Sequence, residues 1–362
     1  MRQLYINGRF FSQRMTGEQR YAYEMTRAMD EFLDAYEWEA VTIVVPAGVD
    51  IDSIMPYKRI SIRQVGHFSG HIWEQLELPF YTWDGFLINF CDMAPVLKKN
   101  QSVTIHDMAI YRYPEYYTRA FKRWHDFVYR CVCRRARRIF TVSNFSSREM
   151  QHFLAVPDEK VVVVSCAVSS FFMEEAVSLN LLDKWNIASN AKVLLAVSSL
   201  SPNKNFHSIV EALQYLDLEG TELVIAGGAN PKEFSTNSDK GLEHARYVGY
   251  VTDAELKALY RRADCFVYPS FYEGFGLPPF EAMVNHCAVV ASNTTAIPEV
   301  CGDAVLYCDP HNPRDIAAKI HRILTDDLLR IELQKRGDEK VHSYSWRKSA
   351  KKMLDVLSGY CG

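Results

Sequence analysis

Glu273 and Glu281 stand eight positions apart and bracket the segment Gly274-Phe275-Gly276-Leu277-Pro278-Pro279-Phe280. Gly274 and Gly276 permit a tight turn with exposed amides, and the run Phe280–Val284 reads as the opening of a helix. Amides at a helix start favour an anion. A carboxylate on either side of such a turn suits a sugar nucleotide, one accepting hydrogen bonds from sugar hydroxyls and the other from ribose hydroxyls. Lys204 follows a Pro202-Asn203 turn beyond an apolar run, where it can neutralise a diphosphate leaving group. His106-Asp107 closes another apolar run, and a histidine there can bond a substrate hydroxyl or move a proton. Gly17 precedes an amphipathic helix and leaves room for a phosphate or an acceptor. Each residue also has a plainer reading: solvated loop glutamates, a solvated lysine, a histidine satisfied at a strand end, an ordinary helix start.

These residues need elements to position them. Short β-branched runs alternate with longer helical patterns along the chain. Strands are expected at 3–6, 41–45, 60–65, 86–91, 103–106, 139–143 and 161–165, then at 193–198, 222–226, 265–268 and 288–291. Helices are expected at 19–33, 119–138, 205–216 and 253–263. Runs such as VVVV and VLLAV suit parallel strands buried on both faces. The alternation implies an α/β protein with doubly wound parallel sheets. Residues 167–190 break the rhythm, so two domains are expected, 1–167 and 168–340, followed by a terminal helix in 341–362. In such sheets ligands bind at the carboxyl ends of strands, and the polar and glycine-rich residues named above cluster there.

Composition narrows the class. The chain has 362 residues, 48% of them hydrophobic and 23% charged, with a formal net charge of −3. That is globular composition, without the basic excess of a nucleic-acid binder. No run approaches the roughly 18 apolar residues of a membrane span, and residues 1–11 lack a signal-peptide core. Nine scattered cysteines imply free, mostly buried thiols in a reducing compartment. Cys131 and Cys133 have no second pair at zinc spacing. One segment stands out: Arg119–Phe140 carries eight Lys/Arg against one acid, Asp126, interleaved with aromatic residues. A basic amphipathic helix of this kind can lie on an anionic bilayer or simply pack on the sheet with its basic side in water.

Taken together the motifs resemble the family 4 retaining glycosyltransferases of the GT-B fold. The resemblance covers nearly the whole chain. It rests on Glu273-x7-Glu281, Ser198–Asn205 (SSLSPNKN), Val248-Gly249-Tyr250, Ser292–Val300 (SNTTAIPEV) and Gly302-Asp303-Ala304. In the first half it rests on Thr16-Gly17 with Arg20-Tyr21, Trp73-Glu74-Gln75 with Leu78-Pro79, Thr104–Asp107 (TIHD) and Thr141–Ser147 (TVSNFSS). It implies two Rossmann-like domains facing across a cleft, the second binding a nucleotide sugar and the first an acceptor, with the terminal helix in 341–362 crossing back onto the first. It implies that Lys204 meets the donor diphosphate and Glu281 the ribose. Glu273 with the backbone of Gly274, Phe275, Gly276 and Leu277 holds sugar and phosphates, and Tyr250 and Val251 pack the base. Gly17 and Ser199 join the donor site, His106 acts beside Glu273 near the anomeric carbon, and Asp107 and Asn144 lie on the acceptor side. Two departures stand: Gly17-Glu18 replaces a common glycine pair, and Ser198-Ser199 replace a common arginine.

The implied reaction retains anomeric configuration, with no metal and no cofactor beyond the nucleotide-diphosphate sugar. GDP-mannose is the first donor expectation, with dTDP-rhamnose or a UDP-sugar behind it. The acceptor would be a glycan or lipid-linked saccharide of a surface polysaccharide of O-antigen type. The enzyme would be cytoplasmic, or peripheral on the inner face of the plasma membrane through Arg119–Arg138, with no nucleic-acid partner. The competing readings are a nucleotide-sugar epimerase on the same plan and a catalytically dead binding partner. A dehydrogenase is disfavoured because no strand leads into G-x-G-x-x-G.

Overall fold

The computed structural model describes residues 3–197, 202–216, 219–227 and 245–360. Two compact units emerge, one made of Met1–Cys166 with Ser345–Gly362, the other of Ala167–Tyr344.

The first unit is built on a seven-stranded sheet whose order is β3-β2-β1-β4-β5-β6-β7. The strands are β1 Gln3–Asn7, β2 Ala40–Pro46, β3 Ile60–Val65, β4 Phe86–Asn89, β5 Gln101–Thr104, β6 Arg138–Thr141 and β7 Val161–Val163. Every pairing in it is parallel. The second unit holds a six-stranded parallel sheet of order β10-β9-β8-β11-β12-β13. Its strands are β8 Lys192–Val197, β9 Thr221–Ala226, β10 Ala245–Gly249, β11 Cys265–Tyr268, β12 Ala288–Ser292 and β13 Leu306–Cys308. The expected doubly wound parallel sheets are therefore present in both halves. Their central strands are buried from end to end, as in β4, β11 and β12, because helices cover both faces.

Particular boundaries differ from the sequence expectation. Strands β4, β5 and β6 end at Asn89, Thr104 and Thr141, which leaves Cys91, His106 and Ser143 in the loops that follow. The helical pattern expected over 119–138 ends at Arg135, because the chain then turns into β6 and the Arg137 amide donates to the Gln101 carbonyl at 2.8 Å. The helix expected from Phe280 already begins at Leu277. Two strands were not foreseen, β10 and β13. Both are edge strands, the first only half-buried and the second three residues long, so neither carries a strong apolar run.

The terminal helix Trp346–Ser358 belongs to the first unit, not the second. Its buried residues Trp346, Ala350, Met353, Leu354 and Leu357 recur at helical spacing. Trp346 meets Tyr21 of the helix Gly17–Asp30 edge-on at 5.5 Å, and Ser349 Oγ donates to the Ser165 carbonyl at 2.7 Å.

In each sheet the strand order reverses once, between β1 and β4 and between β8 and β11. Crossovers leave such a reversal in opposite directions and open a crevice at the strands' carboxyl ends. The residues of interest lie at these two places.

Candidate functional site

In the second unit, Lys204 ends a short turn, Pro202–Lys204, that follows β8. Three hydrogen bonds and a backbone contact fix this turn against neighbouring loops. Asn205 adopts a left-handed conformation (φ +58°), which asparagine tolerates. Its side-chain Nδ2 donates to the carbonyls of Pro269 at 2.9 Å and Pro310 at 2.7 Å. The Phe271 amide donates to the Asn203 carbonyl at 2.7 Å, and the Asn203 side chain donates to the Tyr272 carbonyl at 3.3 Å.

So placed, Lys204 Nζ meets Glu273 Oε1 at 2.7 Å. The Tyr268 hydroxyl, from the last residue of β11, donates to the same oxygen at 2.7 Å. Glu273 Oε2 has no partner among the described residues. The two side chains are unequally covered, 21% exposed for Lys204 and 9% for Glu273. Burial, reinforced by the Glu273 carboxylate, pushes the Tyr268 hydroxyl well above its ordinary pKa, so it remains a donor. Thr295 Oγ1 accepts from the Glu273 amide at 3.2 Å.

Gly276 caps the helix Leu277–Val284 at φ +100°. A Cβ there would lie 2.5 Å from Ile297 Cδ1, a contact the isoleucine tip can relieve by moving, so it is the positive φ that requires glycine. Gly274 and Phe275 are buried, and the Phe275 ring packs edge-on against Phe280 at 5.3 Å and Tyr344 at 5.6 Å. Phe275 therefore has only backbone to offer a ligand. Leu277 is half-buried at the helix start. Glu281 is buried on that helix and accepts from the Tyr260 hydroxyl at 3.2 Å. Tyr250 is exposed just beyond β10, beside the half-buried Val251. Ser199 lies outside the described residues. Tyr268 and Tyr260 were missed by sequence reasoning, since no local pattern reveals which phenol will face a carboxylate.

In the first unit, His106 follows β5. Its Nε2 is 2.8 Å from the Phe90 carbonyl and its amide donates to Asp92 Oδ1 at 2.8 Å. A carbonyl only accepts, so Nε2 carries the proton and Nδ1 presents a lone pair. The Tyr21 ring stands edge-on to the imidazole at 4.9 Å. Burial lowers the His106 pKa below its ordinary value, opposed by the nearby Glu18 carboxylate. Asp92 is pushed well up by burial, then by Glu18 and Asp107. The Glu18 and Asp107 carboxylates make the His106 corner a poor place for a phosphate and a good one for hydroxyls. Asp107 accepts from the Ala109 amide at 2.8 Å. Gly17, the first residue of its helix, is exposed, and a Cβ there would meet nothing. Asn144 is exposed at the start of the helix Asn144–Leu154, capped by Ser143. The structure thus brings Lys204 and Glu273 into contact in one unit and His106, Asp107 and Asp92 together in the other.

The helix Arg119–Arg135 buries Val128, Tyr129, Val132 and Cys133 and leaves Arg119, Arg123, Arg134 and Arg135 exposed, along with Phe121 and Phe127. Nearby, Phe68, Ile72, Leu76, Phe80 and Trp83 form an exposed apolar stripe, reaching 71% exposure at Phe80 and 79% at Trp83. His71, next to Ile72, meets Trp124 of the basic helix at 6.0 Å. Arg63 donates to the Tyr81 carbonyl beside this stripe, and Arg135 to the carbonyl of exposed Leu97. No described helix is long and apolar enough to cross a membrane. Among the described residues no group of three or more His, Cys, Asp or Glu could hold a metal, and the eight described cysteines are free.

Comparison with known proteins adds a family. The profile described as glycosyl transferases group 1 matches residues 179–340, and that of glycosyltransferase family 4 matches residues 83–170. O-antigen chain mannosyltransferase B of Escherichia coli is 35% identical over 252 residues, 67% of this chain and 66% of that protein. The serotype-specific mannosyltransferase WbdA of Escherichia coli is 30% identical over 61% of this chain, which spans only 28% of WbdA. O-antigen chain mannosyltransferase RfbU of Salmonella typhimurium is 28% identical over 63% of this chain and 62% of its own length. Among solved structures, sucrose-phosphate synthase of Thermosynechococcus elongatus superposes with a TM-score of 0.75 at 17% identity over 99% of both chains. WaaG, a glycosyltransferase involved in lipopolysaccharide biosynthesis, does so with 0.74 at 15% identity over 99% of this chain and 100% of its own.

The His106 environment has a pH consequence. The unfolded chain binds a proton at the ordinary histidine pKa near 6.5, and the folded chain only at lower pH. Stability should therefore fall as pH drops below about 6.5. Thermal melts of wild type and His106→Gln between neutral and mildly acidic pH check this: the variant should lose less stability on acidification, so the difference between the two should change with pH. A difference that is constant with pH would contradict the assignment.

Proposed function

Because the chain belongs to the family 4 glycosyltransferases of the GT-B fold, we propose that it is a retaining hexosyltransferase. It takes a hexose from a nucleotide-diphosphate sugar, first of all GDP-mannose, and adds it to a glycan or lipid-linked saccharide. The names of the mannosyltransferase relatives, which act in O-antigen synthesis, support mannose and surface polysaccharide. A dTDP-rhamnose or UDP-sugar donor is the second reading for the nucleotide. The reaction would take place on the cytoplasmic side, with Lys204 and the helix start neutralising the diphosphate in place of a metal.

The observation that carries the reading is Glu273 holding Lys204 at 2.7 Å beside the start of a glycine-capped helix. A donor diphosphate would draw Lys204 onto its oxygens and take further hydrogen bonds from the amides of Gly274 to Leu277. Glu273, with Oε2 open, would accept from sugar hydroxyls, and Glu281 from the ribose. Tyr250 and Val251 would flank the base, with Ser199 and Gly17 near the phosphates. The acceptor oxygen then attacks the anomeric carbon on the face the diphosphate leaves. The C–O bond to the β-phosphate breaks, and the acceptor proton passes to a β-phosphate oxygen. His106 Nδ1 would orient a hydroxyl of the transferred sugar, and Asp107 and Asn144 would face the acceptor. Catalysis of this kind is positioning plus stabilisation of leaving-group charge.

Lys204→Ala and Glu281→Ala should each lower turnover by more than about tenfold, with folding preserved by circular dichroism. Release of nucleoside diphosphate should depend on an acceptor, and the product should keep the donor's anomeric configuration by NMR. Near-wild-type turnover in both variants would remove the site. Acceptor-independent formation of an epimerised nucleotide sugar would favour an epimerase.

The same reading includes an anionic bilayer as the place of work. The stripe Phe68–Trp83 offers apolar side chains at membrane depth, and Arg63, Arg123 and Arg135 supply charge for lipid headgroups. The protein should sediment with phosphatidylglycerol vesicles, less with pure phosphatidylcholine, and be released by salt or by Phe80→Ser with Trp83→Ser. Equal behaviour on both lipids, or none, would contradict it.

A further inference from the structure

The reversal between β1 and β4 holds a second constellation, built from residues far apart in sequence. Arg9 and Glu74 form a buried ion pair, with Arg9 Nε 3.1 Å from Glu74 Oε1 and side chains 9% and 1% exposed. Asn7, the last residue of β1, donates to the same Glu74 oxygen at 2.9 Å and to Asn89, the last of β4, at 3.0 Å. His71 Nδ1 approaches Glu74 Oε2 at 3.3 Å. Both glutamate oxygens are thus engaged. The guanidinium is not: beyond Nε, its terminal nitrogens have no partner among the described residues. The side chain is buried along its length, but these terminal nitrogens are not among the fully buried unpaired polar atoms, so they reach water and are open to a hydroxyl from outside.

What they face is small. A cavity of about 10 Å³ is lined by Arg9, Asn7 and Glu74 on its polar side and by Phe10, Phe90 and Met93 on its apolar side. Such a volume holds about one water or one hydroxyl group. It is too small for a phosphate, and Glu74 already neutralises the arginine. A polar floor under aromatic and aliphatic walls suits one edge of a sugar ring. Glu74 also lies in a π-helical turn, Trp73–Glu77, the kind of local widening that recurs at functional sites. The pocket adjoins His106, since the Phe90 carbonyl that holds His106 Nε2 belongs to a residue of the pocket wall.

We propose that the Arg9–Glu74 pocket is an acceptor subsite that receives one hydroxyl of a neutral sugar, its oxygen accepting from the free guanidinium nitrogens. This rests on the transferase reading. A water fills the place in the free enzyme, and the sugar hydroxyl displaces it while reproducing its hydrogen bonds. Arg9 touches the acceptor rather than the reacting atoms, so its contribution is to acceptor affinity.

The test uses p-nitrophenyl mannoside, galactoside and N-acetylglucosaminide as acceptor probes, with their single-deoxy analogues, and the donor on which the wild type is active. Arg9→Lys keeps the charge and loses the fork. Gln13→Glu, on the exposed rim, places a competing carboxylate beside Arg9 at little risk to folding. Both should raise the acceptor KM about tenfold, the value of one hydrogen bond to a charged group. The donor KM should stay within about twofold, well under the effect of losing one such bond. One deoxy analogue should lose about the same factor on wild type and lose no more on Arg9→Lys. An unchanged acceptor KM in both variants, or a deoxy penalty that persists undiminished in Arg9→Lys, would overturn the proposal and leave the pair purely structural. A wild type that releases no nucleoside diphosphate from any donor would instead overturn the transferase reading beneath it.

Discussion

A parallel sheet can reverse its strand order only by sending successive crossovers to opposite faces, and the carboxyl ends at that reversal are the one part of the sheet left uncovered. This constraint decides where each unit can hold a ligand. In the second unit the reversal lies between β8 and β11, and it places Lys204 after the one strand against Tyr268 and Glu273 after the other. In the first unit it lies between β1 and β4, and it joins Asn7 to Asn89 with Arg9 and Glu74 beside them. The two crevices differ in chemistry. One combines a partly exposed lysine with a glycine-capped helix start and is suited to a diphosphate. The other is a neutralised arginine pocket near the carboxylates of Glu18 and Asp107, suited to hydroxyls.

The Lys204–Glu273 pair is best understood as an interaction waiting for competition. A largely covered ion pair returns little net stability, because the solvation it gives up offsets most of the attraction. It does keep Lys204 extended over the helix start. A diphosphate offers more charge and more oxygens than one carboxylate, so the lysine can change partners at small cost. Tyr268 stays with Glu273 through that exchange, because burial and the carboxylate hold its proton. The glutamate then has a donor already in place and one oxygen open for a sugar hydroxyl.

How much of this was legible in the sequence depended on the range of the interaction concerned. Central parallel strands announce themselves, since VLLAV in β8 and VVA in β12 are buried on both faces and must be continuously apolar. Edge strands do not: β10 carries Arg246, paired with Glu222 of β9, and looks like a loop. Glu273, Glu281 and Lys204 were legible from residue type, glycine spacing and position after a strand. Their partners Tyr268 and Tyr260 were not, because a hydroxyl meeting a carboxylate across elements leaves no periodic trace. Arg9 and Glu74 lie 65 positions apart. Glu74 entered the reading only within the familiar Trp73-Glu74-Gln75 stretch, and Arg9 not at all, since the ion pair exists only once β1 has found β4.

Whether the crevice beside Lys204 holds a nucleoside diphosphate decides what this chain does. Calorimetric titration with GDP, UDP, dTDP and ADP tests this directly, without an acceptor and without a known product. One nucleotide, GDP first, should bind selectively, and Lys204→Ala should weaken it by about tenfold or more, the loss of one charge-assisted contact. Binding of none of the four, or binding that Lys204→Ala leaves unchanged, would contradict the site and the reading built on it.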